Sequence, residues 1–258
     1  MNLANRASNL QLSEMKKSPK KILFYRVCGT GMGAAACLMK EAGHDVYGID
    51  KDYFPPMSTY LEKSGVKKLP YENINLKNYD LIVVGNVIPK NSTEARLIED
   101  SGVLFCSFPE LLGEFILKER TVIGVAGTHG KTTTSYFLIQ LLEGLGEKVG
   151  YFVGGVLDGR PSSALGESKY FIIESDEYDS AYFEKTPKFN HYEIDHLIIS
   201  SLEFDHADIY ESLEDIVSVF RSLAKGVEGK IIFNQEYKAL EFVKDKEGSV
   251  PYGMKNYS

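Results

Sequence analysis

Short apolar segments alternate with amphipathic segments in the first part of the chain. From Lys21 onward the apolar segments are ILFYRVCG, DVYGID, DLIVVGN and VLFCS, and segments with helical periodicity separate them. This alternation is typical of βαβ units with a parallel sheet. Gly43, Gly65 and Gly102 follow the helical segments, where a left-handed backbone closes a helix. The pattern predicts a Rossmann-like parallel-sheet domain at residues 21–107.

A second α/β domain is predicted for residues 108–258. Pro109 can open a helix, and the apolar segment TVIGVAG leads through a glycine-containing loop into a long helix. The later segments KVGYFVGG, YFIIES, HLIISS and KIIFN are strand candidates between polar connections. The last segment, GSVPYGMKNYS, predicts a strand and a turn but no closing helix. We therefore expect a P-loop-type α/β domain that is incomplete at its C-terminal side.

Composition and charge limit the ligands that the protein can bind and the cell compartment in which it can work. The first twenty residues are polar and lack the apolar centre of a secretory signal, so we predict a mobile N-terminal arm at residues 1–20. No segment approaches the roughly 20 apolar residues of a membrane span, which predicts a cytoplasmic protein without a membrane partner. A net charge of −7 argues against nucleic-acid binding. Cys28, Cys37 and Cys106 lack metal-ligand spacing, which predicts free thiols.

The strongest chemical signal is GVAGTHGKTTT at residues 124–134, which joins a strand to a helix. Glycines let backbone N–H groups point at phosphate oxygens, and the helix N-terminus adds a positive dipole end. Lys131 would reach the terminal phosphates and Thr132 would hold Mg²⁺. The loop is a variant, because Val125 stands where the usual motif has its first glycine. The predicted ATP-binding residues are Gly127, Thr128, His129, Gly130, Lys131, Thr132 and Thr133.

A second glycine loop, CGTGMGAA, follows the first strand. Gly29, Gly31 and Ala34 fit the pattern G-x-G-x-x-A, and Asp50 follows about 20 residues later at the end of the next strand. By itself this pattern favours a dinucleotide such as NAD. Tight packing of strand on helix, without a ligand, produces the same pattern.

Two strand candidates of the second domain end in acidic residues. These are Glu174, Asp176, Glu177 and Asp179 after one strand, and Glu203, Asp205 and Asp208 after the other. Ligands bind at the carboxyl edge of α/β sheets, and carboxylate oxygens suit Mg²⁺. Beside a phosphate loop, these residues favour a metal–nucleotide site over a solvated acidic turn. His206 lies in the second group, and its spacing fits helix capping or core packing as well as metal ligation.

The segments GTHGKTTT, ESDEYDSAYF and LEFDHADIY together resemble the ATP-binding domain of the Mur ligase family, which a Rossmann-like domain precedes. The resemblance covers nearly everything after Lys21. It implies an ATP-dependent ligase that joins UDP-N-acetylmuramate to an amine in peptidoglycan biosynthesis or recycling. The segments YFPPMSTYLE, GNVIPKNS, DEYDSAYFEK and KFNHY resemble members whose amine is the tripeptide L-alanyl-γ-D-glutamyl-meso-diaminopimelate. Members that add L-alanine are the alternative.

The resemblance also implies roles for single residues. The first glycine loop would bind the UDP part of the substrate, which makes NAD the less favoured ligand. The implied UDP-binding residues are Gly29, Thr30, Gly31, Met32, Asp50 and Asn86. Thr132, Glu174 and His206 would hold Mg²⁺, and Lys131, Glu174 and His206 are the expected catalytic residues. ATP would phosphorylate the lactyl carboxylate, and the amine would attack the resulting acyl phosphate.

The chain departs from the family pattern in two ways. Ser201 stands where the family usually has asparagine, which leaves the local hydrogen bonding open. Nothing corresponds to the third domain of the family, so we expect the chain alone to lack ligase turnover. A non-catalytic module that binds UDP-muramyl precursors and a dinucleotide-dependent oxidoreductase are further hypotheses. Peptide specificity and oligomeric state are not readable from this sequence.

Overall fold

The computed structural model describes residues 1–72, 74–155, 159–205 and 210–253. Its strands are β1 (Lys21–Tyr25), β2 (Asp45–Ile49), β3 (Lys67–Leu69), β4 (Leu81–Val84), β5 (Leu104–Ser107), β6 (Thr121–Ala126), β7 (Gly150–Phe152), β8 (Ser163–Ala164), β9 (Tyr170–Glu174), β10 (Asp179–Ala181), β11 (Glu184–Pro187), β12 (His196–Ile199), β13 (Ile231–Asn234) and β14 (Ser249–Tyr252). Its helices are α1 (Asn9–Met15), α2 (Thr30–Glu41), α3 (Met57–Lys63), α4 (Thr93–Glu99), α5 (Phe108–Leu112), α6 (Lys131–Gly144) and α7 (Leu213–Gly226). A π-helical turn, Gly113–Leu117, continues α5.

Strands β1 to β5 form a parallel sheet in the order β3-β2-β1-β4-β5. All four residues of β4 are buried, as expected for a strand covered on both faces. The strand order reverses at β1, and ligands of such sheets bind beyond the carboxyl ends at this reversal. Gly43, Gly65 and Gly102 have φ of 93°, 76° and 75°. The predicted helix ends and the Rossmann-like sheet are confirmed.

A second sheet has the order β14-β13-β12-β6-β9-β7-β8, and only its β7–β8 pair is antiparallel among the described strands. Strand β6 pairs in parallel with both β9 and β12. The carboxyl ends of these three strands therefore lie at one edge, and the predicted α/β class is confirmed. Helix α7 was not predicted, although its capping box of Ser212 and Asp215 is a readable start signal.

The expectation of a mobile N-terminal arm is corrected by the structure. Helix α1 begins with a capping box at Ser8, and Leu12 is fully buried. Ala7 N–H donates to the Phe105 carbonyl at 2.8 Å, and Phe105 N–H donates to the Asn5 carbonyl at 3.0 Å. The segment therefore pairs with edge strand β5. The polar composition of residues 1–20 suggested a free arm. The buried Leu12 side chain and the backbone pairing with β5 nevertheless hold this segment on the first sheet.

The hairpin of β10 and β11 belongs by sequence to the second domain but packs against the first. Tyr182 and Phe183 join the core cluster that contains residues of β1, β4 and β5. The rings of Phe105 and Phe183 meet edge to face with centroids 5.5 Å apart. Arg6 donates to Glu184 at 2.9 Å. The hairpin thus ties the two sheets and the N-terminal segment together.

Two smaller expectations concern the thiols and the membrane. Cys28, Cys37 and Cys106 carry free thiols, as predicted. Among the helices of the described residues, none combines the length and the apolar character needed to cross a membrane.

Candidate functional site

The loop between β6 and α6 requires glycine at two positions. Gly130 caps α6 with φ of 80° and Gly127 has φ of 137°, and both values disfavour other residues. A Cβ atom at Gly127 would lie 2.4 Å from Ser200 Oγ and 2.9 Å from the Ser201 backbone nitrogen. The loop therefore passes close to the residues after β12, and Lys131 is the first residue of α6.

Residues that follow β12 hold this loop by hydrogen bonds. Ser201 Oγ accepts the His129 N–H at 2.8 Å and donates to the His129 carbonyl at 3.1 Å. Thr128 Oγ1 accepts the Glu203 N–H at 3.0 Å and donates to the Glu203 carbonyl at 3.2 Å. A serine hydroxyl thus supplies both bonds at the position where the family usually has asparagine. His129 shapes the loop through its backbone, since its ring is exposed.

The Lys131 side chain folds back onto the loop that precedes α6. Its Nζ donates to the Gly127 carbonyl at 2.7 Å and lies 3.2 Å from Glu177 Oε2. The Lys131 and Glu177 side chains are 15% and 2% exposed. Thr132 is half-buried and Thr133 is exposed. Glu177 is one of the acidic residues that follow β9 in the sequence, but its pairing with Lys131 was not predicted. An acidic residue beyond a neighbouring strand is only a weak signal for such a pair.

Glu174 ends β9 next to this loop and is buried. Its Oε2 accepts the Gly154 N–H at 2.9 Å, whereas its Oε1 has no hydrogen-bond partner in the described part of the chain. Burial raises the pKa of Glu174, while the Thr132 hydroxyl, the Gly154 N–H and the Lys131 charge act in the opposite direction. A buried carboxylate oxygen that lacks a donor, close to a threonine hydroxyl, fits the oxygen ligands that Mg²⁺ takes.

The described residues bring only part of the predicted metal set together. Thr132 lies close to the loop after β7, because a Cβ at Gly155 would be 2.8 Å from Thr132 Cγ2. Glu174 and Thr132 are therefore neighbours. His206 and Asp208 lie outside the described residues, so the predicted role of His206 stays a prediction.

A second lysine–carboxylate pair follows Glu174. Lys188 Nζ donates to Asp176 Oδ2 at 2.5 Å, and its side chain is 13% exposed. Burial opposes ionisation of Asp176, but the charge and hydrogen bond of Lys188, the Tyr178 N–H and the Lys131 charge together outweigh it and hold the pKa of Asp176 below its ordinary value. Tyr178 N–H donates to Asp176 Oδ1 at 3.2 Å. Lys188 opens the segment KFNHY quoted for the family resemblance, but the sequence gives its side chain no role, because its pairing with Asp176 depends on the fold.

The first glycine loop lies between β1 and α2. Gly29 and Thr30 are exposed at its tip, and Asn86 is exposed after β4. A Cβ at Gly31 would lie 3.3 Å from the ring atom Cζ of Phe108. Met32 is buried. The structure thus places Gly29, the first turn of α2 (residues 30–32) and Asn86 at the carboxyl edge of the first sheet.

Asp50 is engaged within this loop. Its carboxylate accepts the N–H groups of Cys28 at 2.7 Å and Lys51 at 2.8 Å. Arg26 lies 3.4 Å from Asp50 and 2.8 Å from Glu94, with an unusual φ of 65° for a residue other than glycine. Asp50 therefore shapes the loop. Arg26 is a cation of this edge that was not predicted, because positive φ at arginine has no sequence signal.

Two models of known protein domains match this chain, and their matched ranges include the two glycine loops. Residues 21–120 match the Mur ligase family catalytic domain, and residues 125–258 match the Mur ligase middle domain.

Among curated relatives, the UDP-N-acetylmuramate–L-alanyl-gamma-D-glutamyl-meso-2,6-diaminoheptandioate ligase of Escherichia coli strain K12 is 42% identical over 207 residues, which are 79% of this chain and 45% of the relative. A UDP-N-acetylmuramate–L-alanine ligase of Streptococcus mutans serotype c is 32% identical, over 96% of this chain and 52% of the relative.

Among solved structures, the UDP-N-acetylmuramate:L-alanyl-gamma-D-glutamyl-meso-diaminopimelate ligase of Neisseria meningitidis aligns with a TM-score of 0.84 at 36% identity, and covers 92% of this chain and 79% of that chain. The chain spans about half the length of the curated relatives named here. The family matches cover both sheets and both glycine loops, and the chain therefore belongs to the Mur ligase family.

Proposed function

We propose that this chain is the substrate-binding and ATP-binding part of an ATP-dependent ligase that joins UDP-N-acetylmuramate to L-alanyl-γ-D-glutamyl-meso-diaminopimelate. The observation that carries the proposal is the phosphate loop with Lys131 at the first position of α6, beside the buried Glu174 whose Oε1 lacks a donor. A lysine for phosphate and a carboxylate for a cation at one sheet edge suit phosphoryl transfer.

The ATP phosphates would be held by the loop of Gly127–Thr133. Its glycines allow backbone N–H groups to face the phosphates, and α6 adds the positive end of its dipole. Lys131 would exchange its ion pair with Glu177 for the phosphate oxygens. Thr132 and Glu174 would hold Mg²⁺, with His206 as a further proposed ligand. When bound, Mg²⁺ would neutralise charge on the transferring phosphoryl group.

The UDP part would be held at the other sheet edge. Gly29 ends the first loop, Thr30 and Gly31 begin α2, and Met32 packs beneath them, close to Gly85. Asn86 is exposed at the same edge. In this proposal Asp50 does not contact the nucleotide. It holds the loop by accepting a hydrogen bond from the Cys28 N–H.

The proposed reaction has two steps. An oxygen of the lactyl carboxylate attacks the γ-phosphorus of ATP, ADP leaves, and an acyl phosphate forms. The amine then attacks the acyl carbon, phosphate leaves with the bonding electron pair, and the nitrogen loses a proton to give the amide. In the first step Lys131 would stabilise charge on the phosphoryl oxygens, and the two loops would hold the reactants in line.

The tripeptide is proposed over L-alanine because the relative at 42% identity is named for the tripeptide and the L-alanine ligase is 32% identical. A non-catalytic module would have no use for Lys131 and Glu174 in this arrangement. An oxidoreductase would have no use for the phosphate loop. A cytoplasmic location belongs to the same proposal, since ATP and UDP-sugars are cytoplasmic metabolites.

Calorimetric titration of the purified chain with UDP-N-acetylmuramate tests the proposal, with NADH as the comparison ligand. We expect saturable binding of the UDP-sugar and none of NADH. A parallel titration with ATP and Mg²⁺ should show binding that Glu174→Gln weakens. Binding of NADH alone would overturn the proposed function.

A further inference from the structure

Lys188 is a nearly buried lysine to which the proposed reaction gives no role. Its ammonium pairs with Asp176, which lies two residues beyond Glu174, and its backbone N–H donates to the Tyr178 carbonyl at 3.1 Å. Tyr178 N–H in turn donates to Asp176. These bonds fix the ammonium at the start of the turn that follows β11. A lysine usually keeps its charged head in water, so an ammonium on a side chain that is 13% exposed serves more than solubility.

The ammonium lies between the two glycine loops. On one side, Lys188 Nζ lies 5.9 Å from the centroid of the Phe108 ring, and that ring packs against Gly31 of the first loop. On the other side, the partner of Lys188 is Asp176, and the next residue, Glu177, pairs with Lys131 of the phosphate loop at 3.2 Å. Lys188 is therefore a cation that connects the neighbourhood of the nucleotide-sugar loop with that of the phosphate loop.

A carboxylate that is attached to a UDP-sugar and phosphorylated by ATP must lie between these loops. An ammonium carries three N–H donors, and the bond to Asp176 uses one of them. We propose that Lys188 binds the carboxylate of the UDP-linked acid and so selects UDP-sugars that carry an acid. Asp176 orients the ammonium. The inference rests on the proposed function, and it names a specificity-determining residue for that site.

The test compares two UDP-sugars that differ in the acid. UDP-N-acetylmuramate carries the lactyl carboxylate, and UDP-N-acetylglucosamine lacks it. We expect calorimetry to show that the unaltered chain prefers the first ligand. Lys188→Met should reduce that preference roughly tenfold or more, as for the loss of one charge-assisted hydrogen bond. Affinity for UDP-N-acetylglucosamine should not change, and Lys188→Arg should keep part of the preference.

Lys185→Met is the matched control, because Lys185 lies on β11 three residues before Lys188, pairs with Asp179 and is 70% exposed. It should leave the preference unchanged. If Lys188→Met does not fold because Asp176 loses its partner, the double variant Lys188→Met with Asp176→Asn removes both charges and should show the same loss.

Each outcome of the comparison is decisive. Retained preference in the folded Lys188 variants, or equal affinity of the unaltered chain for both sugars, would overturn the inference and leave the UDP site standing. Failure of the unaltered chain to bind either sugar would overturn the proposed function, and the inference with it.

Discussion

Lys131 and Glu177 form an ion pair in which the ammonium Nζ lies 3.2 Å from the carboxylate Oε2 and only 15% and 2% of the two side chains are exposed. The pair joins the first residue of α6 to the segment after β9. Burying two charges costs solvation free energy, which their mutual attraction has to offset. The stability of the chain should therefore depend on keeping both partners or on removing both.

Lys131→Met leaves the Glu177 carboxylate buried without its cation. We expect the free energy of unfolding to fall by about 3 kcal/mol, as measured by urea denaturation at neutral pH. Adding Glu177→Gln should recover much of that loss. Lys148→Met is the control, because Lys148 and Glu167 are 71% and 75% exposed, and it should cost less than about 1 kcal/mol. Equal losses for the two lysines would contradict the buried pair.

Gly127→Ala should distort the phosphate loop. A Cβ there would lie 2.4 Å from Ser200 Oγ, at a φ of 137° that alanine rarely adopts. We expect a loss of about 2 kcal/mol in stability, with ATP affinity in calorimetry reduced. Gly144→Ala is the control at the other end of α6, where a Cβ meets nothing within 4 Å. It should be neutral or stabilising, and a similar response at both glycines would refute the strained loop.

Leu12→Ala tests the docking of the N-terminal segment. Leu12 is fully buried, so the variant should lower the protection of the α1 amides against hydrogen exchange by up to about 3 kcal/mol. Leu10 lies on the same helix and is 81% exposed, so Leu10→Ala should leave protection unchanged. If neither variant changes exchange, α1 does not depend on this contact and the expectation of a mobile arm returns.

Glu184 should make stability depend on pH. A hydrogen bond from His191, the charge of His191 and the contact with Arg6 together outweigh burial, and they hold the pKa of Glu184 below its ordinary value of 4.5. The folded chain therefore binds this proton less readily than the unfolded chain. The contribution of Glu184 to stability is present above pH 4.5 and is lost as pH falls through its lowered pKa.

Glu184→Gln should accordingly lower the free energy of unfolding by roughly 1–2 kcal/mol at pH 7. The difference in this free energy between the variant and the unaltered chain should shrink as pH falls below 4.5. Urea denaturation across this pH range measures it. Glu167→Gln, at a carboxylate that is 75% exposed, is the control and should show little difference at any pH. A constant difference for Glu184→Gln would contradict a lowered pKa.

The elements with strong local signals were predictable. Strands β1, β4, β6, β9 and β12 are compact apolar runs, and the glycines after α2, α3 and α4 mark the ends of those helices. Strand β3 was not predicted, because two of its three residues are exposed and its sequence shows no apolar run. Its backbone pairing with β2 makes it a strand. The N-terminal segment was misjudged for a related reason, since Phe105 holds it by backbone bonds that any sequence can make.

The sequence by itself determined the strand–loop–helix context of both glycine loops and the presence of Lys131, Thr132 and Glu174 in segments that a parallel sheet brings to one edge. Only the tertiary structure decided how those residues are paired. Glu177 pairs with Lys131 and Ser201 with His129, and in both pairs the partners are far apart in the sequence. Lys188 pairs with Asp176 because the hairpin of β10 and β11 brings the two residues together. Such pairing depends on strand order and on burial, and a linear pattern of residues carries neither.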